Sequence, residues 1–449
     1  MITRLLLSFM LCFGFSIMTF GQESINENVL PVRAQSQIID EILEYRFDSL
    51  MPILMEREQI DMWIVISREY NEDPVLKTML PSTWLSARRR TILVFNKIPG
   101  SKDIEKIAIA RYDVGKLMKG EWNLDVYPEQ WDALMSIIEK KNPSTIGLNL
   151  SGDFGLADGL VYTEYTQFMN NLPETYHDRV VSAENLAIAW LETRTEQEIE
   201  WHREVCEIGH AILQEGLSEK AITPGETTTE DVVWYLRQRV IEAGLDTWFH
   251  PTVSLQRKDP ESLDHLRSFS NRPSGQVIIE GDLLHVDFGV SYLRLNSDQQ
   301  QHFYVLKEGE TEVPQYLKDA FVLGNRLQDI LTGNFKTGRT GNEILKATLD
   351  QAKEEGIIAT IYTHPIGVHG HAAGPTIGLW DQQQGVKGKG DYPLFPNTAY
   401  SIELNAAVEI PEWNKIVRIM LEEDGVFDGE SFFYLDGRQT SILTIPRQP

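Results

Sequence analysis

The stretch Leu283-Leu284-His285-Val286-Asp287-Phe288-Gly289-Val290-Ser291-Tyr292-Leu293-Arg294-Leu295-Asn296-Ser297-Asp298 decides how the rest of the chain is read. Alternation puts Leu283, His285 and Asp287 on one face of a strand and Leu284, Val286 and Phe288 on the other. Asp287 therefore ends a buried strand with its carboxylate aimed into a site. Gly289 opens a tight connection. A returning strand from Tyr292 to Asp298, with Arg294, Asn296 and Asp298 on a common face, brings the second carboxylate beside the first across a hairpin. Two adjacent buried carboxylates repel and must be protonated unless a cation neutralises them. A metal site is the sharp expectation; two polar residues on a solvated turn is the plain one.

Working outward, 449 residues with 42% hydrophobic content exceed a single core and imply two or more domains. The net charge of -25 argues against a nucleic-acid partner, because no basic run offsets phosphate repulsion. Arg4 precedes an apolar run from Leu5 to Phe20, with Thr19, Phe20 and Gly21 before Gln22, which is the pattern of a secretory signal peptide over residues 1–21. Glu23, Asn26 and Glu27 follow where a stop-transfer cluster would stand, so the expectation is a periplasmic or secreted protein without stable membrane insertion after cleavage. Once Cys12 is removed only Cys206 is left, so no internal disulfide framework is expected.

Residues 30–191 read as an α/β domain. A helix is expected from Ile38 to Met55, then strands at Met62 to Ile66, Thr91 to Phe95, Ile107 to Ala110 and Thr145 to Leu150, with a helix over Trp131 to Glu139. Arg88, Arg89 and Arg90 read as a solvated face or an interface. A capping box at Thr195 and Glu198 starts a new helix, so a second domain is expected over residues 193–449. His202 and His210 lie on that helix and read as ordinary helix residues. After helices at Tyr316 to Thr332 and Asn342 to Glu355 comes His364-Pro365-Ile366-Gly367-Val368-His369-Gly370-His371, which holds three of the ten histidines. Glycines allow close backbone approach and imidazoles supply neutral nitrogen ligands, so a functional site is expected there. Strands from Ala399 to Leu404 and Ile416 to Glu422 each carry a carboxylate, Glu403 and Glu422. With Asp287, Asp298 and His364 these make five oxygen and nitrogen ligands on separated segments.

This order, with ten residues between the two aspartates and a second histidine seven residues after the first, resembles the metallopeptidase family M24, that of aminopeptidase P, prolidase and methionine aminopeptidase. The resemblance covers roughly Thr193 to Pro449 and includes Glu280-Gly281-Asp282, Thr223-Pro224-Gly225-Glu226-Thr227 and Glu422-Glu423-Asp424. It implies an α+β protein: an N-terminal α/β domain like that of creatinase and prolidase, then a pita-bread catalytic domain. It also implies a peptide substrate cleaved at an N-terminal Xaa-Pro bond, and a homodimer. By the same resemblance Asp287 chelates one ion, His364 binds the other, Asp298 and Glu422 bridge, and Glu403 binds the second ion and shuttles a proton. His371 and His369 would donate to the developing oxyanion. Four carboxylates and one imidazole suit two divalent cations, manganese first and then iron, cobalt or zinc. His285 is expected mainly to be buried in its strand, with orienting a ligand from behind as its second reading.

Four positions depart from the family pattern. Ser270 stands where a substrate-contacting histidine is usual, with His265 upstream. Gln300-Gln301 replaces Thr-Arg, Leu404-Asn405 replaces Pro-Gly, and Arg418 lies four residues before Glu422 rather than two. These departures keep open a same-fold hydrolase or lyase acting on a non-proline or non-peptide substrate, and a binding protein that has lost turnover.

Overall fold

The computed structural model describes residues 29–258 and 275–447, so the expected signal peptide and the positions Ser270 and His265 lie outside the described residues. The chain starts with α1 (Val32–Tyr45), which runs through a π-helical turn at Arg46–Leu50 into α2 (Met51–Arg57). The helix expected from Ile38 to Met55 is thus longer at its start and interrupted. Next come β1 (Met62–Arg68), α3 (Pro74–Met79), β2 (Arg90–Lys97), β3 (Ile104–Ala108), β4 (Lys119–Gly120), α4 (Gln130–Lys141), β5 (Ile146–Leu148), α5 (Tyr162–Asn171), β6 (Val180–Ser182) and α6 (Glu184–Glu192). The six strands form one mixed sheet in the order β4-β3-β2-β1-β5-β6.

Both faces of this sheet are covered, which explains why β1 and β2 read as continuous apolar runs. Met62, Ile64, Ile92 and Val94 pack with Trp131, Leu134 and Phe168 of α4 and α5. Trp63, Val65, Leu93 and Phe95 pack on the other face with Phe47, Leu54 and the apolar run Leu186 to Leu191 of α6. Burying each such side chain is worth roughly 1.5–3 kcal/mol. Of the Arg88 to Arg90 cluster, Arg90 is not simply solvated: its Nε donates to the buried Glu164 at 2.6 Å.

The second unit begins with α7 (Glu196–Gly216), started by the Thr195–Glu198 capping box, and α8 (Thr229–Glu242). Then follow β7 (Thr252–Gln256), β8 (Leu283–Phe288), β9 (Ser291–Tyr292), β10 (Leu295–Asn296), β11 (Gln299–Val305), α9 (Gln315–Gly333), α10 (Gly341–Glu354), β12 (Ile358–Ile361), β13 (His364–Pro365), β14 (Thr398–Ser401), β15 (Leu404–Ile410), β16 (Lys415–Leu421), β17 (Asp424–Phe427), β18 (Phe432–Tyr434) and β19 (Leu443–Ile445). They form sheets in the orders β19-β11-β8-β7, β12-β15-β16 and β13-β14-β17-β18, with β9 and β10 as a short hairpin. Helices α7 and α8 pack on β7, β8 and β11, while α9 packs on β15 and β16 and α10 on β12 of the same sheet. Helices lie outside and strands inside, the pita-bread arrangement.

The units meet through a buried ion cluster. Glu198 accepts from Arg46 Nη1 at 2.6 Å and from Arg194 Nη1 at 2.9 Å. Ala373 and Tyr392 of the second unit join the core of the first.

Candidate metal centre

Strands β8 and β11 are antiparallel, with Asp287 opposite Gln300 and Phe288 opposite Gln299. Asp298 therefore lies just past the last pair, beside Asp287. The returning strand is β11 and not the expected Tyr292 to Asp298 segment, which is spent on the β9–β10 excursion. Its tip, Leu293 and Arg294, has φ of 52° and 63°, and Arg294 Nη1 reaches Leu80 O of the first unit at 2.7 Å. Gly289 is required at its start: a Cβ there would meet Ser297 O at 2.1 Å.

The other three ligand candidates sit where strands change sheets. Between β12 and β13, between β14 and β15, and between β16 and β17, the chain passes from the three-stranded sheet to the four-stranded one or back. His364 opens β13, Glu403 lies in the second crossing and Glu422 in the third. The strand expected from Ala399 to Leu404 is therefore two strands, broken at Ile402 and Glu403. Gln300 bridges to Glu422, tying the third sheet to the same point.

Ligand atoms of Asp287, Asp298 and Glu422 lie within 4.8 Å of one another, as do those of His364, Glu403 and Glu422, and those of Asp298, His364 and His371. His364 Nδ1 donates to Pro365 O at 3.0 Å, so its Nε2 lone pair is left for the cluster. That Nε2 is 3.4 Å from Glu422 Oε1 and 3.6 Å from Asp298 Oδ2. His364 Nε2 and Asp298 Oδ1 are buried without a hydrogen-bond partner. Burial, then the charges of Glu422, Asp287 and Asp424, push the Asp298 carboxyl well above its usual range. Glu403 is pushed up by burial and then by Glu422. Burial works to lower the His364 pKa, but hydrogen bonding and charge from Glu422, then charge from Glu403, raise it to about 9. Largely buried carboxylates crowded around one imidazole form a donor set that fits divalent ions.

His371 joins the cluster, its ring 4.6 Å from that of His364 and 5.2 Å from that of Trp248. Burial and then the His364 charge lower its pKa to about 4. His369 is not brought there. It lines a cavity of about 360 Å³ with Lys77, Arg294 and Leu295.

Sequence reasoning missed the use of Gln300. Its Nε2 donates to Glu403 Oε1 at 2.5 Å and to Glu422 Oε2 at 2.6 Å, and its Oε1 accepts from His285 Nε2 at 2.8 Å. The departure from Thr at this position therefore holds two carboxylates of the candidate centre, and His285 orients Gln300 from behind. The available signal was spacing: Gln300 is two residues beyond Asp298 on one strand face. Arg418 donates to Asn405 Oδ1 at 3.2 Å, so two further departures contact each other.

The model of metallopeptidase family M24 matches residues 200–426. No curated protein matches the sequence. Among solved structures, the X-Pro aminopeptidase of Thermotoga maritima superposes with a TM-score of 0.60 at 17% identity, covering 87% of this chain and 99% of that one. A putative aminopeptidase P from Bacillus anthracis gives 0.60 at 12%, covering 89% and 96%. The prolidase from Pyrococcus furiosus gives 0.51 at 17%, covering 86% and 99%.

Proposed function

The chain belongs to metallopeptidase family M24, whose model matches residues 200–426, and we propose that it is an exported peptidase that hydrolyses N-terminal Xaa-Pro bonds with two divalent ions. The observation that carries this reading is the convergence of four carboxylates and an imidazole from separate segments, with buried oxygen and nitrogen atoms left unpartnered. Likeness to an X-Pro aminopeptidase and to prolidases supports the choice of bond. Manganese is the first candidate, then cobalt, zinc or iron.

Asp287, Asp298 and Glu422 would hold one ion, and His364, Glu403 and Glu422 the other. When bound, the ions supply Lewis acidity and lower the pKa of a coordinated water. The chain does the rest. Gln300 fixes Glu403 through Oε1, which leaves Oε2 to take a proton from water and pass it to the leaving nitrogen. His371 is neutral near pH 7 and donates its N–H to the carbonyl oxygen as charge develops. Trp248, edge-on to His371, offers an apolar wall for a pyrrolidine ring.

The test is metal analysis of stripped and reloaded protein, with hydrolysis of a panel of Xaa-Pro peptides and other amides. We expect about two ions at the oxygen-rich centre and cleavage of the Xaa-Pro members. No bound ion, or no panel member cleaved, overturns the reading; cleavage confined to non-proline amides replaces the substrate. Export and dimerisation are separate proposals, tested by cell fractionation and by sedimentation at several concentrations.

A further inference from the structure

Helix α7 places His202 and Cys206 four residues apart, on one face. That face meets Asp424 at the start of β17. Cys206 Sγ donates to Asp424 Oδ2 at 3.5 Å across a separation of 218 residues. One ring nitrogen of His202, the Cys206 sulfur and an Asp424 carboxylate oxygen all lie within 4.8 Å of one another. All three residues are buried, His202 at 0% exposure, Cys206 at 1% and Asp424 at 2%.

Protein partners satisfy only part of this group. His202 Nε2 donates to Asn296 O at 2.8 Å, so Nδ1 carries a lone pair. That Nδ1 and Asp424 Oδ1 have no hydrogen-bond partner. Buried lone pairs on an imidazole and a carboxylate beside a thiol form a donor set for a cation. None of the three residues was needed for the oxygen-rich centre.

We propose that His202, Cys206 and Asp424 form a further metal site, separate from the oxygen-rich centre, for a borderline divalent ion such as zinc. Imidazole, thiolate and carboxylate are the ligand types such an ion takes, and its fourth position falls to water. Ligand atoms around one tetrahedral ion lie roughly 3–4 Å apart, so small side-chain movements complete the site. The thiol proton leaves to solvent as the ion binds. Thiolate and carboxylate charges then balance the ion, and the buried cluster is neutral. Asp424 Oδ2 also accepts from Asp298 N at 2.9 Å. The ion would thereby brace the backbone of a residue of the oxygen-rich centre.

Sulfur makes the site spectroscopically distinct, because the oxygen-rich centre has no thiolate. The full chain is stripped with a chelator, reloaded with Co²⁺, and its absorption and metal content are measured. We expect a near-ultraviolet sulfur-to-cobalt charge-transfer band and about three ions per chain. Cys206→Ser should remove the band and one ion, and His202→Gln should weaken the band, whereas Cys12→Ser and Glu403→Gln should keep it. Cobalt-loaded wild type that fills the oxygen-rich centre without the band overturns the proposal, and so does a band that survives Cys206→Ser. The band is read without substrate, so failure of the Xaa-Pro reading appears in the hydrolysis panel and leaves this result standing.

Discussion

Glu422 and Glu423 are consecutive, each about 1% exposed, and they face opposite sides of one sheet crossing. Glu423 is fully provided for. It accepts from His210 Nε2 at 2.7 Å, Gln301 Nε2 at 3.0 Å and Gln439 N at 3.2 Å. Glu422 sits among Asp287, Asp298 and Glu403; Ser401 and Gln300 each donate to it at 2.6 Å, and the one imidazole beside it, His364 Nε2 at 3.4 Å, is shared with Asp298 and Glu403. Glu423 shares its imidazole with one other, partly exposed carboxylate, Asp436. Glu422 shares one imidazole with several largely buried carboxylates, among atoms without hydrogen-bond partners, which is the surplus of negative charge the proposed ions would neutralise.

The comparison is sharpened most by Glu422→Gln. On the proposed two-ion reading this substitution removes a ligand shared by both halves of the centre, so hydrolysis should fall by on the order of a thousandfold or more, with loss of bound ion. Denaturation of the metal-free variant should show no loss of stability relative to metal-free wild type, because a like charge has gone. A marked loss of stability would break the contrast.

His210→Ala should do the reverse. It leaves Glu423 and Asp436 facing each other without their shared partner and costs about 3–5 kcal/mol by denaturant unfolding, while ion content in the folded protein holds. Gln300→Leu falls between the two. Two ligand carboxylates lose a donor, and metal affinity measured by titration should drop about 10–100-fold. An unchanged affinity would return Gln300 to the substrate-contact role suggested by the family pattern.

Sequence made the site's composition legible but not its architecture. The ten-residue gap, the His364–His371 step and the Thr195–Glu198 capping box are local patterns, and local patterns survive without a structure. Alternation through Ser401 and Glu403, or Met420 and Glu422, continues smoothly across a change of sheet, so periodicity reported the faces and concealed the crossings. Gln300 and His285 meet because of the β8–β11 register, which no single segment encodes. His202 and Cys206 looked ordinary because their third partner lies far along the chain.

The last expectation from this comparison is a pH dependence carried by the structural side. Burial works against charge on His210, yet Glu423 and Asp436 hold its pKa up to about 10. An unfolded histidine titrates near 6.5, so the folded state binds the proton more tightly. The stabilisation is fully present below pH of about 6.5, declines as pH rises above that, and is gone once pH passes about 10. Unfolding midpoints from pH 7 to pH 10 should therefore fall more steeply for wild type than for a His210→Gln variant, which has no proton to lose. Parallel slopes would mean that His210 is neutral in the folded protein, and the distinction between a self-neutralised Glu423 and a metal-dependent Glu422 would then rest on the ligand variants alone.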